Sequence, residues 1–119
     1  MFGKLENQEF LVKKENLEII KKHLKALDAL DSFEANKMMI DRLEQALNNN
    51  QRINGADACF YTHELKESEL MKNGSDWNDA HKQAIDYYGV SSFSLYHPDV
   101  IAACPNDFNS NWKRFWGIE

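Results

Sequence analysis

The stretch Ala56–Tyr88, ADACFYTHELKESELMKNGSDWNDAHKQAIDYY, decides the fold, because two helix-forming runs meet at Asn73-Gly74-Ser75. A glycine just past a helix stops it, and a serine opens the next one. The spacing predicts a helix from about Ala56 to Lys72 and another, capped by Ser75, running to Tyr88 and stopped by Gly89. Asp76 and Asp79 fall in its first turn, where the helix dipole favours acids. So short a connection folds the two helices into an antiparallel hairpin.

Working outward, Lys14–Leu30 repeats apolar residues at Leu17, Ile20, Leu24, Leu27 and Leu30, a helical period. Asp31-Ser32 offers a cap for a helix over Phe33–Leu47, with Met39, Ile40, Leu43 and Leu47 on one side. The tract Asn48-Asn49-Asn50-Gln51 and the pair Asn54-Gly55 form a loop. Val90–Tyr96 (VSSFSLY) reads as irregular or extended, a candidate short strand. His97 caps a short helix with Pro98 in its first position, and Asn109–Trp116 forms a last aromatic helix. The expectation is a mostly all-α, single-domain bundle over 1–119, with 1–13 as lead-in and 14–119 as core.

At 119 residues, 43% hydrophobic and 28% charged, the chain suits one globular core and not a disordered or disulfide-stapled one. Cys59 and Cys104 lack metal-finger spacing and read as packed free thiols. No apolar run approaches the roughly 18 residues of a membrane span, so no membrane role is expected. Met1–Phe10 carries Glu6 and Glu9 and does not resemble a signal peptide. Residues 1–52 hold nine basic and nine acidic residues; residues 53–119 hold five and ten, which places the whole net charge of −5 in the second half. A domain that grips nucleic acid by charge alone shows a basic face instead.

Wheels of about 100° per residue put His63, Glu64 and Glu67 in the sector of Phe60 and Met71, and His81 among Trp77, Ala80 and Ala84. Counted outward from Gly74, Met71 faces Trp77, Glu67 faces His81, Glu64 faces Ala84 and Phe60 faces Tyr88. Ionisable groups in such a seam cost several kcal/mol unless paired. Three readings stay open: a structural pair fixing the hairpin register, an acid–base centre, or a metal site of His63, Glu67 and His81. His63-Glu64-x-x-Glu67 is not the zinc-protease motif, whose last residue is histidine. In Tyr96-His97-Pro98-Asp99, the imidazole starts a helix, where backbone N–H groups favour anions; the plainer reading is a simple cap. His23, between Lys22 and Leu24, is expected on the surface, and Trp112, Phe115 and Trp116 are expected to close the core.

Several stretches together, Met39-Ile40-Asp41-Arg42-Leu43, Thr62-His63-Glu64-Leu65-Lys66-Glu67, Ala80-His81, Tyr96-His97-Pro98-Asp99-Val100-Ile101 and Phe108-Asn109-Ser110-Asn111-Trp112, carry a likeness spanning about residues 15 to 117. With them the chain resembles the C-terminal toxin domains of bacterial polymorphic toxins, the variable tips of contact-dependent inhibition and Rhs-repeat proteins. The resemblance implies an antagonism effector exported on a larger carrier, acting in the target-cell cytoplasm and neutralised by a cognate immunity protein. It implies a hydrolase, most often a nuclease of RNA or DNA, with His63, Glu64, Glu67, His81, His97 and Asp99 as candidate catalytic residues. The chemistry would use either no cofactor or a divalent metal ion. A non-catalytic acidic binding protein, an immunity factor or adaptor, is the alternative.

Overall fold

Helix α3 (Gly55–Lys72) is the axis of the molecule in the computed structural model, which describes residues 1–118. Seven consecutive residues, Ala58 to Glu64, are buried on it, so its first half is covered on every side. A helix enclosed all round has no solvent face on which to leave its polar residues. Helices α1 (Lys14–Ala26), α2 (Glu34–Asn48) and α4 (Trp77–Tyr88) all pack on it. Two short helices, α5 (Pro98–Ala103) and α6 (Ser110–Trp116), complete the mostly α fold.

The hairpin forms as expected, with Gly74 at φ 106° and Gly89 closing α4 at φ 64°. Ala80 and Ala84 are fully buried, and their small side chains let α4 lie close against α3. The cap of α4 is Asp76 instead of Ser75: its carboxylate accepts from Asp79 N–H at 2.9 Å. Trp77, which the wheel sets with Ala80 and Ala84, is 43% exposed, and Tyr87 is 51% exposed.

Helix α1 stops short of Leu30 because Asp28 adopts φ 54°, in the left-handed region. Ala29 N–H then closes back on the Leu24 carbonyl at 2.8 Å, and the turn still delivers Leu30 to the core. Ser32 does not cap α2; its hydroxyl donates to the Asp28 carbonyl, and Phe33 occupies the cap position. The Asn36 amide ties the same loop down by donating to the Ala29 carbonyl at 2.8 Å.

Sequence periodicity missed the only sheet among the described residues, β1 (Phe10–Leu11) antiparallel to β2 (Arg52–Ile53). Two-residue strands are too short to display an alternating pattern. The extended stretch expected in Val90–Tyr96 is instead a single 3-10 turn at Ser92–Ser94. That turn is held by two long-range bonds: the Ser94 hydroxyl donates to the Met1 carbonyl and the Trp116 indole to the Phe93 carbonyl, each at 2.8 Å. The first residues are packed as well. Leu5 and Val12 are buried, and a Cβ on Gly3 would sit 2.3 Å from the carbonyl oxygens of Tyr88 and Gly89.

Trp112 and Trp116 pack against the main core, and Phe115 lies against Phe93 with ring centroids 5.6 Å apart. No helix among the described residues is long and apolar enough to cross a membrane. Cys59 and Cys104 are free and buried. Burial pushes the Cys59 thiol up to about 12 and raises that of Cys104. Both thiols are therefore expected to resist iodoacetamide in native protein at about pH 8 and to react once it is unfolded. Mass spectrometry showing rapid alkylation of Cys59 in the native state would contradict this packing.

Candidate metal centre

Glu67 lies on the fourth turn of α3 and is 1% exposed. Its carboxylate receives N–H groups from three helices. The Trp77 indole Nε1 of α4 donates to Oε1 at 3.0 Å, and His23 Nε2 of α1 meets the same oxygen at 2.7 Å. His63 Nε2, one turn back on α3, and His81 Nδ1 of α4 meet Oε2 at 2.9 and 3.1 Å. Burial alone would raise the Glu67 carboxyl; the bonds from His23, His63 and His81 override it and hold the group well below the usual carboxylate range.

The hairpin register thus pairs Glu67 with His81 as counted from Gly74, with His63 beside them. His23 corrects the sequence reading: it is 8% exposed, not a surface residue. The signal was present, since on the wheel position 23 falls between Leu27 and Leu30, at the edge of the apolar stripe that runs through α1. Its lysine neighbours in sequence point elsewhere, because consecutive residues on a helix diverge by about 100°.

His97 and Asp99 do not join this centre. His97 caps α5 by accepting from Asp99 N–H at 3.0 Å, as the plainer reading had it. Asp99 is exposed and lies 3.9 Å from Arg42, whose guanidinium forms a bidentate pair with Asp57 at 2.8 and 3.0 Å. Burial and the Arg42 charge lower the pKa of His97. Neither residue lines the cavity at the His63 cluster.

That cavity holds about 190 Å³, and His63, Glu64, Glu67, Trp77 and His81 line it with Tyr96 and Asn36 opposite. It is smaller than the roughly 300 Å³ at which pockets for whole small molecules begin, so it admits one reacting group and leaves the rest of a substrate outside. No lysine or arginine lines it. His63 is buried, and burial lowers its pKa against the opposing pull of Glu67, with the neighbouring imidazoles adding a smaller push the same way as burial. His81 is about one-third exposed and stacks on Trp77, with ring centroids 4.8 Å apart and planes 24° from parallel.

His63 Nε2, His81 Nδ1 and Glu67 Oε2 form a nearly equilateral triangle, with sides of 2.9, 3.1 and 3.1 Å. Hydrogen bonds cannot satisfy all three sides. The carboxylate only accepts, so imidazole protons aimed at Oε2 leave the 3.1 Å nitrogen–nitrogen contact without a hydrogen bond. A cation satisfies all three lone pairs at once. At bonds of about 2.1 Å, neighbouring ligands of an octahedral ion lie about 3.0 Å apart, and those of a tetrahedral ion about 3.4 Å. The triangle matches one face of the octahedron and is tighter than a tetrahedral one. Two imidazoles and a carboxylate suit a borderline divalent ion such as Zn²⁺, Mn²⁺ or Fe²⁺.

No protein-family model, curated protein or solved structure matches the chain. The chemistry of the donor set is what distinguishes this place from the rest of the core.

Glu64, one turn before Glu67, is fully enclosed, and burial together with the Glu67 charge raises its carboxyl well above the usual range. Native Glu64 therefore keeps a proton that the unfolded chain releases above about pH 4.3. Its contribution to stability is complete below that pH and is lost as pH rises towards its native value. In chelator-treated protein the melting temperature of Glu64→Gln should rise relative to wild type between about pH 4 and pH 8. Thermal melts showing a constant difference across that window would rule the enclosed carboxyl out.

Proposed function

We propose that the protein is a divalent-metal-dependent hydrolase of phosphodiester bonds, a nuclease of the toxin-effector type. The observation that carries the metal is the triangle of His63 Nε2, His81 Nδ1 and Glu67 Oε2 at the wall of a small cavity. The phosphodiester substrate class comes from the sequence resemblance to polymorphic-toxin tips. A chain of net charge −5 with no lysine or arginine at the cavity needs a cation to receive an anionic substrate. The setting that fits the resemblance is export on a carrier, action in the target-cell cytoplasm and a cognate immunity protein as partner.

A divalent ion supplies two things here: it lowers the pKa of water towards neutrality and polarises a phosphoryl oxygen. The chain's own residues supply geometry. The Trp77 indole and His23 bind Oε1, which leaves Oε2 turned towards His63 and His81. His63 is immobilised by burial, whereas His81 and Trp77 stand at the cavity mouth, where the substrate approaches. Hydrolysis adds the water oxygen to phosphorus and breaks one P–O bond. The proton released by water is balanced by the one gained on the departing oxygen. The small cavity suits a polymer whose single linkage enters while its bases remain outside, within reach of the exposed Trp77 ring.

Wild-type protein should degrade RNA or DNA on gels, lose that activity in EDTA and regain it with Zn²⁺ or Mn²⁺. His81→Ala should cost about 100-fold in cleavage rate while its circular dichroism spectrum is unchanged, with a modest fall in melting temperature from the lost contact to Glu67. Cleavage that persists undiminished in EDTA overturns the metal reading. Harmless expression in bacteria together with no cleavage of either nucleic acid favours the non-catalytic binding protein instead.

A further inference from the structure

His23, Glu64 and Glu67 form a second ligand set on the opposite side of the same carboxylate. His23 Nε2 lies 2.7 Å from Glu67 Oε1 and 3.6 Å from Glu64 Oε2, and one donor atom from each of the three residues falls within 4.8 Å of the others. All three residues are buried. Glu64 Oε2 is buried without a hydrogen-bond partner among the described residues, although its residue is only 7% exposed and lines the cavity. The 3.6 Å to His23 is too long for a hydrogen bond. An enclosed acid oxygen with no hydrogen-bond partner is costly even when the carboxyl keeps its proton, and a structural role would not explain it.

We propose that the centre is dinuclear: a second divalent cation is held by His23 Nε2, Glu64 Oε2 and Glu67 Oε1, with Glu67 bridging to the ion at His63 and His81. The inference rests on the metal reading of the first triangle, because both ions share Glu67. The two oxygens of one carboxylate hold paired ions about 3.5–4 Å apart, the separation at which two metals stabilise the attacking and leaving oxygens of a phosphoryl displacement. Charge points the same way. Two acids one turn apart in a dry interior, with no lysine or arginine at the cavity, can both ionise only when cations offset them, and loading the second ion releases the proton of Glu64. Trp77 then serves as a positioning residue, since its indole holds the remaining lone pair of Oε1.

Metal content decides the matter. Full-length protein is stripped with chelator, incubated with excess ZnCl₂ or MnCl₂, desalted and assayed by inductively coupled plasma spectrometry. Wild type should retain two equivalents. Glu64→Gln, which keeps the shape of the side chain, and His23→Gln should each retain one, and His81→Ala should lose the other. In the Mn²⁺-loaded wild type, electron paramagnetic resonance should show a spin-coupled pair, and in Glu64→Gln an isolated ion. One equivalent in wild type, or two in folded Glu64→Gln, overturns the dinuclear centre and leaves the first site standing. No retained metal in folded wild type overturns both. Should one glutamine variant fail to fold, the wild-type stoichiometry and its resonance spectrum decide alone.

Discussion

A single carboxylate organises the interior. Glu67 accepts from the Trp77 indole on α4 and meets ring nitrogens of His23 on α1, His63 on its own helix and His81 on α4. Taking a carboxylate out of water costs several kcal/mol, recovered only when every lone pair is used and the geometry is good. Here all four contacts fall at 2.7–3.1 Å. The three helices must therefore keep one relative position. Apolar packing alone is far less particular, because Leu-for-Met exchanges and small slides cost little.

The surroundings of that carboxylate follow from the enclosure of α3. With Ala58 to Glu64 covered on every side, a polar residue there has only other residues to meet. Phe60 and Tyr61 fill the volume towards the main core, while the alanines of α4 bring His81 close enough to touch Glu67. Shape and polarity are thus arranged together. The alanines carry no chemistry, yet a larger side chain at Ala80 or Ala84 would hold the imidazole away.

Legibility in sequence followed the strength of local signals. The hairpin, its Asn73-Gly74 stop and the pairing of Glu67 with His81 were readable because helical period and a short turn leave one register. His23 was misread because Lys22 and the lysine-rich helix around it outweighed its place between Leu27 and Leu30 on the wheel. Tyr96-His97-Pro98-Asp99 looked like chemistry and is a cap, since a histidine before proline is held extended whatever its function. The strand pair at residues 10–11 and 52–53 left no trace, because its partners are joined by backbone bonds across some forty residues and not by a side-chain pattern. The triangle of donor atoms is a tertiary fact. Helical wheels give directions, not the tenths of an ångström that separate a hydrogen bond from a coordination edge.

The clasp between the ends of the chain has its own consequence for how the molecule assembles. Ser94 reaches Met1 across 93 positions, and Gly3 is pressed against the backbone that closes α4. Contacts of such wide separation come at a high entropic cost until the intervening helices are already in place. Neighbouring helices can meet early, by contrast, since α3 and α4 are joined by a few residues. The order of assembly is then written into the topology: the hairpin that carries the acid and its imidazoles comes together first, and the amino-terminal residues latch over its far end as the closing step.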